Sequence, residues 1–331
     1  MEEYVIEARD LRKVYPGGVE AVKGVSFRVR RGEIYGFLGP NGAGKTTTLG
    51  MLTTIIKPTS GTAIVAGYDV SKNPVEVRAR IGVVFQDPTI DRDLTAWQNM
   101  YIHGLIHGVP KAVLEKRIPE LLSMVGLEKF MHTKLRYYSG GMIRRLEIAR
   151  ALINTPEVLF LDEPTIGLDP QARAKVWEVI RELKRQGVTV FLTTHYMDEA
   201  DKLCDRIAII DHGRIIAEGT PEELKSMVGG DIIYVRVAGD GASLLKALRD
   251  TGWNARRVGD GLIAVSVRDA PRALPEVISM AARMGLQVVE VRYTRPSLDD
   301  VFLHLTGRSL RDAETEGWKE IARIVMRRRM R

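Results

Sequence analysis

The hydrophobic pattern of the first 220 or so residues alternates between two kinds of segment. Short apolar runs, rich in β-branched residues and bounded by glycine, alternate with longer stretches in which apolar residues recur with a helical period. Strands that alternate with helices are typical of a largely parallel sheet with helices on its faces, so we predict an α/β domain. The predicted strands are EIYGFLG, TAIVAGY, RIGVVFQ, VLFLDE, VTVFLTTH and RIAIIDHG.

A helical segment interrupts this alternation. Between Gln86 and Pro156 the strand signal disappears and helix-period segments replace it, for example over residues 113–125. We predict a helical subdomain over about residues 87–156, inserted into the α/β core.

The pattern changes again after Gly229-Gly230, a pair that is typical of a linker. The next segments predict strands at 232–237, 254–258, 262–267 and 287–293 and helices at 243–251 and 272–284, followed by a last helix in SLDDVFLHLTG. This βαββαβ order is the ferredoxin-like arrangement. We therefore expect a large domain over residues 1–228, a small α+β domain over 229–307 and a basic tail over 308–331.

The composition of the chain is compatible with several classes of binding partner. The 331 residues include 49 lysines and arginines and 42 aspartates and glutamates, a net charge of +7 that suits nucleic acid, an anionic membrane or a phosphate ligand. The single cysteine, Cys204, excludes a disulfide framework within the chain, and we expect it to be buried. The acidic start and the lack of any run near the ~20 apolar residues of a membrane span lead us to expect a chain that is soluble or that attaches to a membrane only through a partner.

The segment GPNGAGKTT fits the phosphate-loop pattern G-x-x-x-x-G-K-[ST], and it lies between a predicted strand and a predicted helix. Its glycines let backbone N–H groups turn toward an anion, and the helix N-terminus adds a positive dipole end. We expect Lys45 to reach the β- and γ-phosphates and Thr46 to offer its hydroxyl to Mg²⁺. The predicted binding residues of the loop are Gly39, Pro40, Asn41, Gly42, Ala43, Gly44, Lys45, Thr46 and Thr47.

Two of the apolar runs end in groups suited to hydrolysis. VLFLDE ends in Asp162 and Glu163, and VTVFLTTH ends in His195. Open parallel sheets bind ligands at the carboxyl ends of their strands, so these side chains should meet there. We expect Asp162 to hold Mg²⁺, Glu163 to act as general base toward the attacking water, and His195 to contact the γ-phosphate or that water.

A second candidate phosphate socket opens the helical pattern YYSGGMIRRLEIARALI. Ser139 is typical of a helix N-cap, and Gly140 and Gly141 leave the first turn open to an anion. An apolar stripe should fix the direction of this helix. The predicted stripe is Met142, Leu146, Ala149 and Ile153.

Five ordered motifs together resemble one family. GPNGAGKTT, GVVFQDP, YSGGM, VLFLDEPTIGLDP and TTHYMDEA follow one another as they do in the ATP-binding subunits of ABC transporters, and the resemblance covers about residues 4–225. It implies that Tyr15 stacks on adenine. It also implies that Gln86 senses Mg²⁺ and the attacking water, and that Asp169 belongs to a loop that crosses a dimer interface.

The resemblance also gives the second socket a role. In this family the SGG motif caps the ATP held by the opposite subunit, which implies a homodimer closed around ATP. Tyr138 stands where the family usually has leucine and Met142 where glutamine is common. The atoms that face phosphate come from Ser139, Gly140 and Gly141, so we expect capping to survive.

The ending RPSLDDVFLHLTGR and the small C-terminal domain resemble the ATPase subunits of daunorubicin-resistance-type exporters, which act with a separately encoded permease. This implies an ATP-hydrolysing motor that uses ATP and Mg²⁺ and binds a permease on the cytoplasmic face of the cell membrane. The cargo would be drugs, lipids or other hydrophobic compounds, and we expect no nucleic-acid partner.

Two other functions fit the motifs less well. A soluble ABC ATPase acting on ribosomes or nucleic acid would suit the positive charge, but translation-type members usually carry two ATPase units and DNA-repair types a long coiled coil. A non-catalytic regulatory subunit would be expected to lose Lys45, Glu163 or His195, and all three are present. The C-terminal domain remains open between dimerisation or stability and ligand sensing, and the basic tail between a membrane surface and solvent.

Overall fold

The structure is a computed structural model that describes residues 3–239, 241–259 and 261–307. The chain divides into two compact units, the first ending at Thr220 and the second beginning at Pro221. The sequence places this boundary later, at Gly229-Gly230. The difference arises because the short helix before these glycines packs against the last helix of the second unit, a contact between distant segments that no local pattern reveals. The predicted basic tail lies outside the described residues.

Ten strands and seven helices of the described residues make up the first unit. The strands are β1 (Tyr4–Tyr15), β2 (Val19–Arg30), β3 (Ile34–Leu38), β4 (Ser60–Val65), β5 (Tyr68–Asp69), β6 (Ile81–Val84), β7 (Val158–Asp162), β8 (Thr189–Thr194), β9 (Arg206–Asp211) and β10 (Arg214–Gly219). The helices are α1 (Lys45–Leu52), α2 (Pro74–Arg80), α3 (Ala96–Ile106), α4 (Lys111–Met124), α5 (Gly140–Ala151), α6 (Pro170–Arg185) and α7 (Met197–Leu203).

A six-stranded sheet carries the predicted parallel core. Its strand order is β10-β9-β3-β8-β7-β6, and every neighbouring pair is parallel except β10 with β9. Strands β3, β7 and β8 are buried at every position, as expected for strands covered on both faces. The predicted α/β fold is therefore confirmed.

One predicted strand belongs to a different sheet. The run TAIVAGY becomes β4, which pairs antiparallel with β1 in a second sheet of order β2-β1-β4-β5, so its assignment to the parallel sheet is wrong. The burial pattern explains the difference, because β4 starts exposed and then alternates, whereas β3, β7 and β8 are buried throughout. Alternation is typical of antiparallel sheets with one solvated face.

Aromatic packing holds together the strands whose carboxyl ends lead to the candidate site residues. The ring of Phe191 in β8 lies 5.5 to 5.9 Å from four other buried rings. Those rings are Phe27, Tyr35, Phe37 and Phe160. Because they come from β2, β3 and β7, this cluster holds β3, β8 and β7 together and aligns their carboxyl ends.

The segment between β6 and β7 is helical, as predicted. It consists of α3, α4 and α5 with two short 3₁₀ turns, and the helical period at residues 113–125 corresponds to α4. Thr95 starts α3 with a capping box, in which its hydroxyl accepts from Gln98 N while the Gln98 side chain accepts from Thr95 N.

The second unit contains the predicted βαββαβ order. Its elements are α8 (Pro221–Ser226), β11 (Asp231–Val237), α9 (Ala242–Asp250), β12 (Asn254–Gly259), β13 (Leu262–Val267), α10 (Ala270–Arg283), β14 (Val288–Thr294) and α11 (Leu298–Thr306). The antiparallel sheet has the order β12-β13-β11-β14, which confirms the ferredoxin-like arrangement. Among the residues described in both units, no helix is both long and apolar enough to cross a membrane.

Candidate active site

The phosphate loop connects β3 to α1, and its backbone lies so close to neighbouring strands that side chains cannot fit. A Cβ atom on Gly39 would lie 2.2 Å from the carbonyl oxygen of Ile210, and one on Gly44 would lie 2.6 Å from that of Ala21. Gly44 also has a φ of 104°, in the region that favours glycine. These two glycines therefore set the shape of the loop.

Lys45 is buried at the centre of the site. Its ammonium donates to the carbonyl oxygens of Gly39 and Pro40 at 2.8 and 3.1 Å and lies 3.2 Å from Oε1 of Glu163. The loop thus holds the ammonium of Lys45 against its own carbonyl groups, and the contact of Lys45 with phosphate stays a prediction of the phosphate-loop pattern.

Asp162 ends β7 and is held by two hydroxyl groups. The Oγ1 atoms of Thr46 and Thr193 donate to its Oδ1 at 3.2 and 2.5 Å. Burial raises the pKa of Asp162, and these two hydrogen bonds partly oppose that rise. The structure therefore brings together two of the three residues predicted to contact Mg²⁺, the hydroxyl of Thr46 and the carboxylate of Asp162, which are the hard oxygen donors that Mg²⁺ prefers.

Glu163 has a constrained backbone and a carboxylate that contacts both Lys45 and His195. Its φ of 46° is unusual for a residue with a side chain, and its N–H donates to both O and Oγ1 of Thr193 at 3.1 Å. Oε2 lies 3.0 Å from Nδ1 of His195. Burial by itself raises the pKa of Glu163, but the hydrogen bond with His195 and the charge of Lys45 outweigh it and leave the pKa lowered.

Gln86 lies beyond the carboxyl end of β6, the parallel neighbour of β7. Its side chain is exposed, and its backbone carbonyl accepts a hydrogen bond from Arg144 of α5. The described residues contain no group of three or more His, Cys, Asp or Glu side chains that could hold a metal ion. A cation at Thr46 and Asp162 would consequently need further oxygen ligands, such as nucleotide phosphates and water.

The predicted adenine contact lies beside the phosphate loop. The hydroxyl of Tyr15 is 3.3 Å from Oγ1 of Thr47, and the ammonium of Lys13 lies 5.3 Å from the centre of the Tyr15 ring. The half-buried ring is thus placed at the edge of the phosphate site, where a base could stack on it.

The second socket is built as a capped helix start. Ser139 caps α5 by accepting from Met142 N at 3.3 Å. A Cβ atom on Gly140 would lie 3.4 Å from Leu168, and one on Gly141 would lie 2.7 Å from Cβ of Ala172. The start of α5 therefore packs against the segment that leads into α6.

Asp169, which is predicted to lie in a loop at a dimer interface, caps a helix in the structure. Its Oδ1 accepts from Ala172 N at 2.9 Å and caps α6. Cys204 is buried as expected.

Several residues that support the site were missed from the sequence. Thr193 bonds both Asp162 and Glu163, although it lies some thirty residues away from them in the chain. Glu199 is buried, and its Oε1 accepts from Thr165 and Trp177 at 2.7 and 2.9 Å, which ties α7 to the turn after Glu163 and to α6. The only local sequence feature that could have pointed to Thr193 is the pair of threonines directly before His195.

Two stretches of the chain match known protein families. Residues 22–166 match the family described as ABC transporter. Residues 219–306 match the family described as ATP-binding protein DrrA1-3-like, C-terminal domain.

Relatives resemble the chain over most of its length. The daunorubicin/doxorubicin resistance ATP-binding protein DrrA of Streptomyces peucetius is 44% identical over 324 residues, covering 97% of this chain and 98% of the relative. The Nod factor export ATP-binding protein I of Ralstonia nicotianae is 42% identical over 310 residues, covering 93% of this chain and 95% of the relative.

Solved structures resemble about two thirds of the chain. CbiO1 from Clostridium perfringens, part of the ABC transporter complex cbiONQ, has a TM-score of 0.64 and 30% identity over 69% of this chain and 94% of its own. A dimeric ATP-binding cassette in a post-hydrolysis state, bound to ADP and phosphate, has a TM-score of 0.59 and 29% identity over 65% of this chain and 98% of its own.

Proposed function

The chain belongs to the ABC transporter family of ATP-binding subunits, and from that premise we propose that it powers the export of hydrophobic compounds through a separate membrane permease. The observation that carries this proposal is the position of Glu163, whose carboxylate lies between Lys45 and His195 at 3.2 and 3.0 Å. A base, a phosphate-binding cation and an orienting imidazole thus converge on one edge of the sheet.

The geometry supports a stepwise division of labour. Lys45 exchanges the carboxylate of Glu163 for the β- and γ-phosphates when ATP binds. Glu163, whose pKa the hydrogen bond with His195 continues to lower, then accepts a proton from the attacking water, while His195 holds the carboxylate in place. Thr46 and Asp162 would hold Mg²⁺, with Gln86 approaching from β6. When bound, the ion neutralises charge on the phosphate oxygens.

The second socket supports a dimer. Ser139, Gly140 and Gly141 form the start of a helix, where backbone N–H groups and the dipole favour an anion, and they pack beside α6. We infer that they cap the ATP held by the partner chain, as implied by the family and consistent with the dimeric relative bound to ADP and phosphate.

The helical subdomain supplies a surface for the permease. Ile102, Leu105 and Ile106 are exposed apolar side chains on α3, and such clusters on a soluble domain mark interaction sites. We propose that this surface binds the permease and places the protein on the cytoplasmic face of the membrane.

Membrane recruitment tests this docking surface. Ile106 is 77% exposed, so Ile106→Asp should leave ATPase activity in solution unchanged and reduce sedimentation with membranes that contain the permease. Val75→Asp is the matched control, because Val75 is 65% exposed on α2, outside the proposed surface. Equal loss with both variants, or co-purification with ribosomes in place of membranes, would contradict the proposal.

The names of the relatives suggest the class of cargo. They are proteins of daunorubicin and doxorubicin resistance and of Nod factor export. We therefore propose an amphiphilic or hydrophobic compound as cargo. Cells that express the chain with its permease should retain less of a fluorescent anthracycline than cells expressing the Lys45→Ala variant, and equal retention would contradict this cargo class.

A further inference from the structure

Helix α5 buries two charged side chains on a face that leads away from the second socket. Arg144 is 5% exposed and Glu147 is 2% exposed, although the sequence pattern places only apolar residues in the buried stripe of this helix. Met142, predicted to belong to that stripe, is only half-buried. Buried charges are costly unless they are paired and hydrogen-bonded, so this face must have specific polar partners.

The partners are backbone groups of the segment that follows β6. The guanidinium of Arg144 donates to the carbonyl oxygens of Phe85 and Gln86 at 2.6 and 2.9 Å. The carboxylate of Glu147 lies 3.3 Å from the same guanidinium and accepts from the N–H of Thr89 at 2.9 Å. The buried ion pair thus holds both ends of the segment from Phe85 to Thr89.

A third residue extends the same row. Arg150 donates from its two terminal nitrogens to O and Oγ1 of Thr89 at 2.6 and 2.5 Å. Arg144, Glu147 and Arg150 are spaced by three residues and therefore lie on one side of the helix. Burial lowers the pKa of Arg144 and raises that of Glu147, as expected for two charges removed from water, and each charge partly offsets the shift of the other.

This row fixes the backbone of Gln86 while leaving its side chain exposed. Strand β6 ends at Val84, so the sheet no longer supports the chain at Gln86. In the described contacts, support at this point comes from α5. The same helix begins at the Ser139 cap, and five residues of helix span only about 8 Å along the axis.

We propose that Arg144, oriented by Glu147, is a positioning residue that fixes Gln86 to helix α5. The inference rests on the proposed function, because it takes Gln86 as the residue that senses Mg²⁺ and the attacking water. Helix α5 carries Ser139 at its start and holds Gln86 through Arg144. In the proposed dimer, Ser139 caps the ATP held by the partner chain, whereas Gln86 serves the ATP held by its own chain. The helix therefore links the two nucleotide sites. Closure of the partner's site on Ser139 therefore moves Gln86 relative to β7.

A double-mutant cycle tests whether Arg144 acts through Gln86. Arg144→Lys keeps a positive charge but cannot hold two carbonyls in the same fork, so kcat should fall about tenfold while the KM for ATP changes less than about twofold. Gln86→Ala should lower kcat similarly. The double variant should be no slower than the slower single variant.

Arg145→Lys is the matched control. Arg145 is the next residue of α5, and its guanidinium also donates to carbonyl oxygens, those of Val125 and Gly141, at 2.5 and 3.4 Å. It does not contact the segment from Phe85 to Thr89 in the described structure. Its lysine variant should keep kcat within about twofold of the unmodified chain.

Amide hydrogen exchange supplies a readout that does not depend on activity. Exchange over residues 85–89 should rise in Arg144→Lys and stay unchanged in Arg145→Lys. If Arg144→Lys fails to fold, Glu147→Gln replaces it, because the amide still accepts from Thr89 N but no longer pairs with Arg144 as a charge. The same rise in exchange and the same non-additive loss of kcat are expected.

Two results would overturn the inference: a double variant whose loss is the product of the single losses, or equal effects of Arg144→Lys and Arg145→Lys. Failure of the proposed function would give a different result, because Glu163→Gln would then keep normal turnover. Loss of turnover in Glu163→Gln together with additive behaviour of Gln86 and Arg144 would therefore reject the positioning role alone.

Discussion

Lys45 and Glu163 form a buried ion pair, with Nζ of Lys45 3.2 Å from Oε1 of Glu163 and side chains that are 4% and 6% exposed. The cation expected to bind phosphate and the carboxylate expected to activate water are thus each other's partner. A buried charge is costly without a counter-charge. Removing the charge of Lys45 or of Glu163 would therefore leave the remaining charge buried without its partner, which is destabilising. Binding of ATP would supply a new counter-charge for Lys45 and release Glu163 toward water.

Glu163→Gln should separate nucleotide binding from hydrolysis. The amide is isosteric and can still contact Lys45 and His195, but it cannot accept a proton from water. We expect ATP binding to be retained and kcat to fall at least about 100-fold, the usual contribution of a general base. Equilibrium binding of ATP and release of phosphate measure the two effects, and normal turnover would remove Glu163 from the role of base.

Thr193→Val should disturb the carboxylate of Asp162 and the backbone of Glu163 without changing the size of the side chain at position 193. It removes the hydroxyl that donates to Asp162 and accepts from Glu163 N. We expect a loss of stability of about 1 to 3 kcal/mol and a raised requirement for Mg²⁺. Urea unfolding and ATPase titration with Mg²⁺ provide the measurements.

Thr194→Val is the control for this prediction. Its hydroxyl accepts from Tyr196 N, and it neighbours Thr193 on the same strand. A comparable loss of stability with an unchanged Mg²⁺ requirement would confirm that the effect of Thr193 arises from its contacts with Asp162 and Glu163. An equal shift in the Mg²⁺ requirement for both variants would contradict it.

Ser139→Asp should prevent the dimer from closing around ATP. Asparagine and aspartate both cap helices well, so Ser139→Asn and Ser139→Asp keep α5 intact and differ in one negative charge. In the Glu163→Gln background, ATP should convert monomers to dimers on a sizing column, and only the Asp variant should abolish this shift, because its carboxylate repels the γ-phosphate. Dimers that form equally well with Asp would show that Ser139 does not face a partner's nucleotide.

Gly141 is a poor position for the same test. A Cβ atom there would lie 2.7 Å from Cβ of Ala172, so any substitution would push α5 away from α6. Loss of dimerisation would then have two possible causes. Ser139 avoids this, since its side chain already occupies the cap.

His103 should make stability depend on pH. Burial, then the charges of Arg150 and His107, lowers its pKa to about 4 from 6.5. As pH falls from 6.5 toward 4, the unfolded chain takes up a proton that the folded chain excludes, so stability that is present above pH 6.5 is lost over this range. His103→Gln should reduce this loss.

Urea midpoints at pH 7.5 and 5 measure the effect of His103. His132→Gln serves as the control, because His132 is exposed. The same pH dependence in the His103 variant and in the unmodified chain would contradict the prediction.

Truncation after Thr220 should leave a folded unit that binds ATP. The cut follows the boundary of the first unit and removes α8, whose Leu224 is fully buried and whose partner in the second unit is α11. A cut after Met227 would leave α8 without α11 and expose Leu224, so this longer chain should aggregate more readily. Light scattering and ATP binding distinguish the two. A folded chain ending at Thr220 that fails to bind ATP would mean that the second unit completes the site.

The sequence determined the features that depend on residues close together in the chain. The phosphate loop binds through consecutive backbone groups, so its spacing alone located Gly39, Gly44 and Lys45. The βαββαβ order of the second unit follows from local period, and β7 and β8 followed from apolar runs that end in polar residues. In each case the interaction that matters lies within one turn, strand or helix, which a linear pattern records directly.

Only the tertiary structure decided which distant residues support the site. Thr193 bonds Asp162 across neighbouring strands, and Arg144 and Glu147 face Gln86 and Thr89 from a helix almost sixty residues away. A polar residue that is buried against backbone groups has the same local sequence pattern as one that faces water, because its partner is supplied by another part of the chain. The β4 strand was misplaced for the same reason, since its pairing with β1 is set by packing between segments. Local spacing thus identified the candidate catalytic residues. Contacts between distant segments determined which residues hold them in position.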